Sequence, residues 1–181
     1  MIAIDDRYWL KTRGEMVRPK ERAFLFELAQ RTAAKFDKPL ILNIGVSWGA
    51  SVHCLFAGAP NATHYAIDID YNSRPIQHRD LLDVAFIQAD SGWWIPTFTT
   101  AHLVFVDGDH DYEGVRRDIR NWIPYIPIGG IIAFHDYCPQ AQDRERLKGV
   151  INAVNEWYKA NADDWDSLGV VVSTTAFERV K

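Results

Sequence analysis

The chain has 181 residues, 48% hydrophobic and 13% aromatic, which suits one domain with a sizeable core and excludes a disordered chain. A formal net charge of −4 offers no broad basic face to nucleic acid or anionic lipid. No apolar run approaches membrane-spanning length, the start lacks a secretory signal pattern, and Cys54 and Cys138 form no CxxC pair; the expectation is a single cytoplasmic domain over 1–181, binding neither nucleic acid nor membrane.

Taken in order, Pro19 to Phe36 predicts a helix, with Phe24, Leu25, Leu28 and Ala29 on one stripe, closing a helical segment over about 1–36. The sheet core is expected over about 39–181. Pro39–Ile44 reads as a short apolar strand, Gly45 to Gly49 as a turn and Ala50 to Ala57 as a helix. Further strands are expected at His64–Asp68, Val84–Ala89 and His102–Asp107, then a helix over Tyr112–Ile123 and a strand over Gly129–His135. Asp143–Ala160 carries Leu147, Val150, Ile151, Val154, Trp157 and Tyr158 on one helical face. Leu168–Ser173 and Ala176–Val180 predict a closing antiparallel hairpin.

Strands alternating with helices imply an α/β doubly wound sheet, whose ligands bind beyond the carboxyl ends of the strands. The informative polar residues fall at those ends: Gly45, Asp68, Asp90, Asp107 and the His135-Asp136 pair. The turn NIGVSWGAS lets the backbone bend at Gly45 and Gly49, and a helix amino terminus behind it offers N–H groups to an anion. Ser47 and Ala50 stand where a dinucleotide fingerprint wants glycine, so that pattern fails. A carboxylate at Asp68 is placed to accept hydrogen bonds from ribose hydroxyls.

The segments ILNIGVSWGAS, AIDID, IQADS, VFVDGDHDYEGVRRDI and GGIIAFHDY occur in this order, and over about residues 20 to 180 the chain resembles the class I S-adenosylmethionine-dependent methyltransferases. DGDHxYEGVxxD followed by HDY is similar to the branch with catechol-type and macrolide-sugar O-methyltransferases. The resemblance implies a Rossmann-like, seven-stranded, mostly parallel sheet with an antiparallel last strand. It also implies that Gly45, Gly49 and Ser51 face the methionine part of S-adenosylmethionine, with Asn43 at an often acidic position beside them. By the same carry-over Asp68 holds the ribose, and Asp90 with Ser91 lies beside the adenine.

Strands four and five, joined by one helix, are parallel and end at one rim; as neighbours they would bring Asp107, His135 and Asp136 within the span of one metal ion. Oxygen donors with at most one nitrogen favour Mg²⁺, with Mn²⁺ next. A calcium loop fails, since Tyr112 stands where its glycine belongs and Asp118 where its glutamate belongs. The cation would bind the acceptor's hydroxyl oxygen and lower its pKa, with Asp107 beside cofactor and metal alike and His110 as general base, a role the resemblance supports. Asp111 is expected to cap the following helix, and Glu113 with Arg117 to form an exposed helix pair. His53, His64, His78 and His102 are read as structural or exposed. Trp93, Trp94 and the Ser73–Arg79 loop are candidate walls for a small-molecule acceptor pocket, which a second copy of the chain could complete; core packing is the equal alternative for the two tryptophans. The alternatives are a metal-dependent hydrolase using DGDH and HD, and a cofactor-binding module without methyl transfer.

Overall fold

The computed structural model of the chain describes residues 17–70, 83–138 and 145–181; the Ser73–Arg79 loop, His78 and the start of the expected helix at Asp143 lie outside the described residues. The elements run α1 (Pro19–Lys35), β1 (Leu40–Ile44), α2 (Ala50–Gly58), β2 (Thr63–Asp68), β3 (Val84–Gln88), β4 (Leu103–Val106), α3 (Tyr112–Trp122), β5 (Ile131–Phe134), α4 (Glu145–Asn161), β6 (Trp165–Val171) and β7 (Thr174–Arg179). The seven strands form one sheet in the order β3-β2-β1-β4-β5-β7-β6. Strands β1 to β5 are parallel, whereas β7 runs antiparallel to both β5 and β6. Strand order reverses between β1 and β4, and such a switch point opens the crevice in which ligands bind.

Alternation along the strands divides the core into two layers. Leu42, Ile44, Val104, Val106, Ile132 and Phe134 point to the face covered by α3 and α4, where they meet Val115, Ile119, Trp122, Val150 and Val154. Their neighbours Ile41, Leu103, Phe105, Ile131 and Ala133 point the other way, against Leu25, Leu28 and Ala29 of α1 and Cys54 and Leu55 of α2. Helices α1 and α2 pack closely because Gly58 has no side chain: a Cβ there would lie 2.4 Å from the Phe26 carbonyl oxygen.

Boundaries move from expectation for identifiable reasons. Pro124 stops the α3 ladder, and Ile123–Tyr125 finish it as a 3₁₀ turn. The Gly129-Gly130 pair forms the turn into β5 rather than its first residues, with Gly129 at φ +82°. Strand β6 starts at Trp165, three residues earlier than its apolar pattern suggests, because a bulge between Ser167 and Gly169 breaks the alternation. Its turn into β7 places Val172 at φ 60°, a costly conformation for a β-branched residue, so the usual Asn-Gly signal is missing.

Candidate functional site

The strand ladders carry the candidate residues to one rim. Beyond the ends of β1, β4 and β5, Gly45 N–H donates to Ile67 O at 2.8 Å, Asp107 N–H to Ile44 O at 2.8 Å and His135 N–H to Val106 O at 3.0 Å. Gly45 and Asp107 therefore flank the switch point. They touch so closely that a Cβ on Gly45, itself at φ +81°, would sit 1.9 Å from the Asp107 carbonyl oxygen. The glycine is demanded first by this backbone contact, before any ligand is considered.

The turn after β1 is a run of backbone donors held from below. Ser47 at φ 47° and Gly49 at φ 80° interrupt the right-handed backbone. Val46 N–H and Ser47 N–H donate to Asp68 Oδ2 at 2.7 and 2.9 Å, while Asp68 Oδ1 accepts from Asp70 N–H at 2.9 Å. Asp68 thus shapes the turn from the end of β2. Asn43 Nδ2 donates to the Gly45 carbonyl at 2.7 Å. Its Oδ1 is buried without a hydrogen-bond partner among the described residues, leaving an acceptor unspent beside the turn. Gly49 provides no side chain to cap α2, and Ser51 is buried in the first turn of that helix.

Asp90 and Ser91 form the turn after β3. Asp90 Oδ1 accepts from Gly92 N–H at 2.8 Å, and the Ser91 hydroxyl donates to Asp118 Oδ1 at 2.7 Å. Asp118 lies within α3, and burial pushes its carboxyl up to about 6 despite the Ser91 bond. The paired tryptophans separate: Trp94 packs near Trp122, Tyr65 and Phe98, whereas Trp93 points outward.

At the switch point, ligand atoms from Asp107, His110 and Asp136 all lie within 4.8 Å of one another. His110 Nε2 is 2.7 Å from Asp136 Oδ2 and 3.9 Å from Asp107 Oδ1. Asp136 takes a positive φ of 55°, a conformation that Asp tolerates better than most residues. His135 lies behind this group. Its Nδ1 is 3.2 Å from Asp107 Oδ1 and its Nε2 is 3.5 Å from Glu21 Oε1, so both ring nitrogens face carboxylates. Burial opposes a charge on the ring, but the bond to Asp107 and the Glu21 carboxylate facing Nε2 prevail and hold its pKa up at about 10.

Glu21 is the residue that sequence reasoning missed. It is fully buried and accepts from Arg18 N–H, Ser173 N–H, the Ser173 hydroxyl and the Thr174 hydroxyl. Burial alone would raise its pKa, yet the facing His135 ring and the bonds from Ser173 bring it down to about 2. The available signal was its spacing: Glu21 shares the inward stripe of Leu25, Leu28 and Thr32.

Two local expectations are corrected. Asp111 occupies the N-cap position of α3 but makes no side-chain cap; its N–H instead donates to Asp109 Oδ1 at 2.9 Å. Glu113 pairs with Arg116 at 3.4 Å, one residue short of the expected Arg117, and Arg117 reaches across to Asp90 at 3.8 Å. The remaining described histidines hold structure: His64 Nε2 lies 2.8 Å from Ala59 O, His102 Nδ1 accepts from Leu40 N–H at 3.0 Å, and His53 is buried in α2.

A family profile described as "Methyltransferase domain" matches residues 42–137, from β1 to just past Asp136. An uncharacterized protein of Acanthamoeba polyphaga mimivirus is 39% identical over 54 residues, a match spanning 30% of this chain and only 23% of that protein. The fold resembles an O-methyltransferase from Bacillus cereus solved in complex with SAH: TM-score 0.67, 16% identity, 97% of this chain and 87% of that one. It also resembles the MycE methyltransferase of the mycinamycin biosynthetic pathway, solved with Mg and SAH: TM-score 0.56, 20% identity, 92% of this chain and 56% of that one. No described helix is long and apolar enough to cross a membrane.

Proposed function

The chain belongs to the methyltransferase domain family, S-adenosylmethionine-dependent enzymes of the Rossmann-like class, and from that premise we propose that it methylates a hydroxyl oxygen of a small molecule. The observation that carries the acceptor chemistry is the convergence of Asp107, His110 and Asp136 at the switch point, in contact with the Gly45 turn. Bound there, S-adenosylmethionine supplies the methyl group on its sulfonium. Asn43 Oδ1, the Gly45–Gly49 turn and Ser51 are read as the methionine end of the site, Asp68 as the ribose acceptor, and Asp90 with Ser91 as the adenine end. A hydroxyl acceptor needs a base, and His110 is its candidate: with Nε2–H donating to Asp136, proton acceptance falls to Nδ1. Asp136 orients that ring and steadies the imidazolium once the proton has moved.

Two carboxylates and one imidazole fit a hard divalent cation such as Mg²⁺ or Mn²⁺, so the donor set at Asp107, Asp136 and His110 passes that test. Such an ion would lower the pKa of the acceptor hydroxyl, and a pair of vicinal hydroxyls would suit it. Asp107 and Asp136 are the residues to hold it, whether His110 joins them or remains the base. His135, facing a carboxylate with each nitrogen, is read as the charge partner of Asp107 in place of the third ligand expected from spacing.

The test is calorimetry with S-adenosylmethionine, with and without Mg²⁺, paired with turnover on small vicinal diols. Cofactor binding is expected to survive chelation and turnover to stop. His110→Ala is expected to lower turnover about 10²–10⁴-fold while leaving cofactor affinity unchanged. Turnover that survives EDTA would remove the cation, a normal rate in the variant would remove His110 as base, and no cofactor binding would remove the whole reading.

A further inference from the structure

Among the described residues strand β3 ends the sheet, with β2 as its one neighbour, so no described strand lies beyond the turn that follows to hold it. Helix α3 does so instead, through three residues on one side. Asp118 Oδ1 accepts the Ser91 hydroxyl at 2.7 Å, Asn121 Nδ2 donates to Gly92 O at 3.0 Å, and the Arg117 guanidinium lies 3.8 Å from Asp90 Oδ1. The fit is tight enough that a Cβ on Gly92 would meet Arg117 Nε at 2.3 Å. Three buried polar atoms of this helix, Arg117 Nε, Asp118 Oδ2 and Trp122 Nε1, have no hydrogen-bond partner among the described residues. Buried polar groups are normally satisfied, so this stretch retains polar capacity beside the turn that it holds.

We infer that α3, acting through Asp118 and Asn121, fixes the Asp90–Gly92 turn in the register that recognises an adenine base. The inference rests on the cofactor reading above and deepens it. Asp118 and Asn121 are positioning residues, acting through the turn. The same helix follows the segment carrying Asp107 and His110, so the base-recognising end and the reacting end of the site share one rigid element.

The test is calorimetry on the full chain with S-adenosylhomocysteine and its hypoxanthine counterpart, S-inosylhomocysteine, which differ only at the base. Wild type is expected to prefer the adenine compound. Asp118→Ala is expected to weaken S-adenosylhomocysteine about tenfold and to bring the two affinities together, since a freed turn no longer presents its groups in register. Asp118→Asn, whose amide oxygen still accepts from Ser91, is expected to restore discrimination between the two bases, the readout that a merely structural role would leave unmoved in both variants. Asn121→Ala, which removes one bond from a half-buried side chain, is the second variant should Asp118→Ala fail to fold. Discrimination unchanged in folded Asp118→Ala or Asn121→Ala overturns the inference. Equal wild-type affinity for the two compounds also overturns it while leaving the cofactor reading intact; no binding of either compound by wild type overturns both.

Discussion

Asp118 shows how a single carboxyl can cost stability and still be retained. Its burial and the nearby charges of Asp109 and Asp90 favour the neutral form, against Arg117 and the Ser91 bond, and the outcome is a pKa near 6 instead of 3.8. An acid whose pKa rises on folding contributes its stability in full below the unfolded value, and that contribution is lost as pH climbs through the folded one. Asp118→Asn should therefore unfold like wild type near pH 4 and be more stable by about 1–2 kcal/mol at pH 8. Urea melts at the two pH values check this, and a less stable variant at pH 8 would contradict it. The contrast with Cys54 is instructive: burial also raises that thiol, to about 12, but it sits in the apolar layer under α1 and α2, donating to the Ala50 carbonyl at 3.0 Å, where it stays inert.

At the scale of elements, the position of His110 depends on a glycine in a different helix. A Cβ on Gly149 of α4 would lie 2.2 Å from the His110 carbonyl oxygen and 2.7 Å from Tyr112 N, so α4 can press on this segment only while that position is bare. Helix propensity alone predicts that Gly149→Ala gains about 1 kcal/mol. Steric overlap with backbone, which cannot swing aside, predicts a loss of about 1–3 kcal/mol, and the overlap should win. Turnover should fall at least tenfold with S-adenosylhomocysteine affinity nearly unchanged, because the strain falls on the loop that carries His110 and not on the turns around Asp68 or Asp90. Thermal melts, a methyl-transfer assay and calorimetry on the variant read the three, and wild-type turnover would contradict the contact. The order of these elements was legible because strands β1 to β5 are short apolar runs that end in Gly, Asp or His. The Val172 turn and the bulge before Gly169 were not, since neither carries the residue types that usually mark them.

Across the molecule, Glu21 ties together segments that are far apart in sequence: the first helix, the end of β5 and the β6–β7 turn, 152 positions away. A group whose pKa is lowered from 4.5 to about 2 stabilises the fold fully above pH 4.5 and loses that contribution as pH falls through 2. His135 has the opposite dependence, its share being complete below 6.5 and fading as pH rises through about 10. Glu21→Gln should cost about 1–3 kcal/mol at pH 6, since it removes the carboxylate facing Nε2 of a buried imidazolium that keeps Asp107 as its other partner, and the loss should shrink toward pH 2. Urea melts from pH 2 to 7 test the profile; a variant equal to wild type at pH 6 would refute the pairing. This long-range tie also explains what the sequence left open at the site. Asp107, Asp136 and both histidines were legible as neighbours on one rim. That His135 sets its Nε2 3.5 Å from a further carboxylate depends on a glutamate in a helix that reads as ordinary amphipathic surface and stripe.

The contact between Gly45 and the Asp107 carbonyl carries a lesson for redesign. With hydrogen alone filling that gap, the ends of β1 and β4 already lie as close as they can, and any side chain there would force them apart. Engineered breadth toward bulkier acceptors has to be sought on the flanks, at outward-facing side chains such as Trp48 and Trp93, where volume can change without prying apart the central strands.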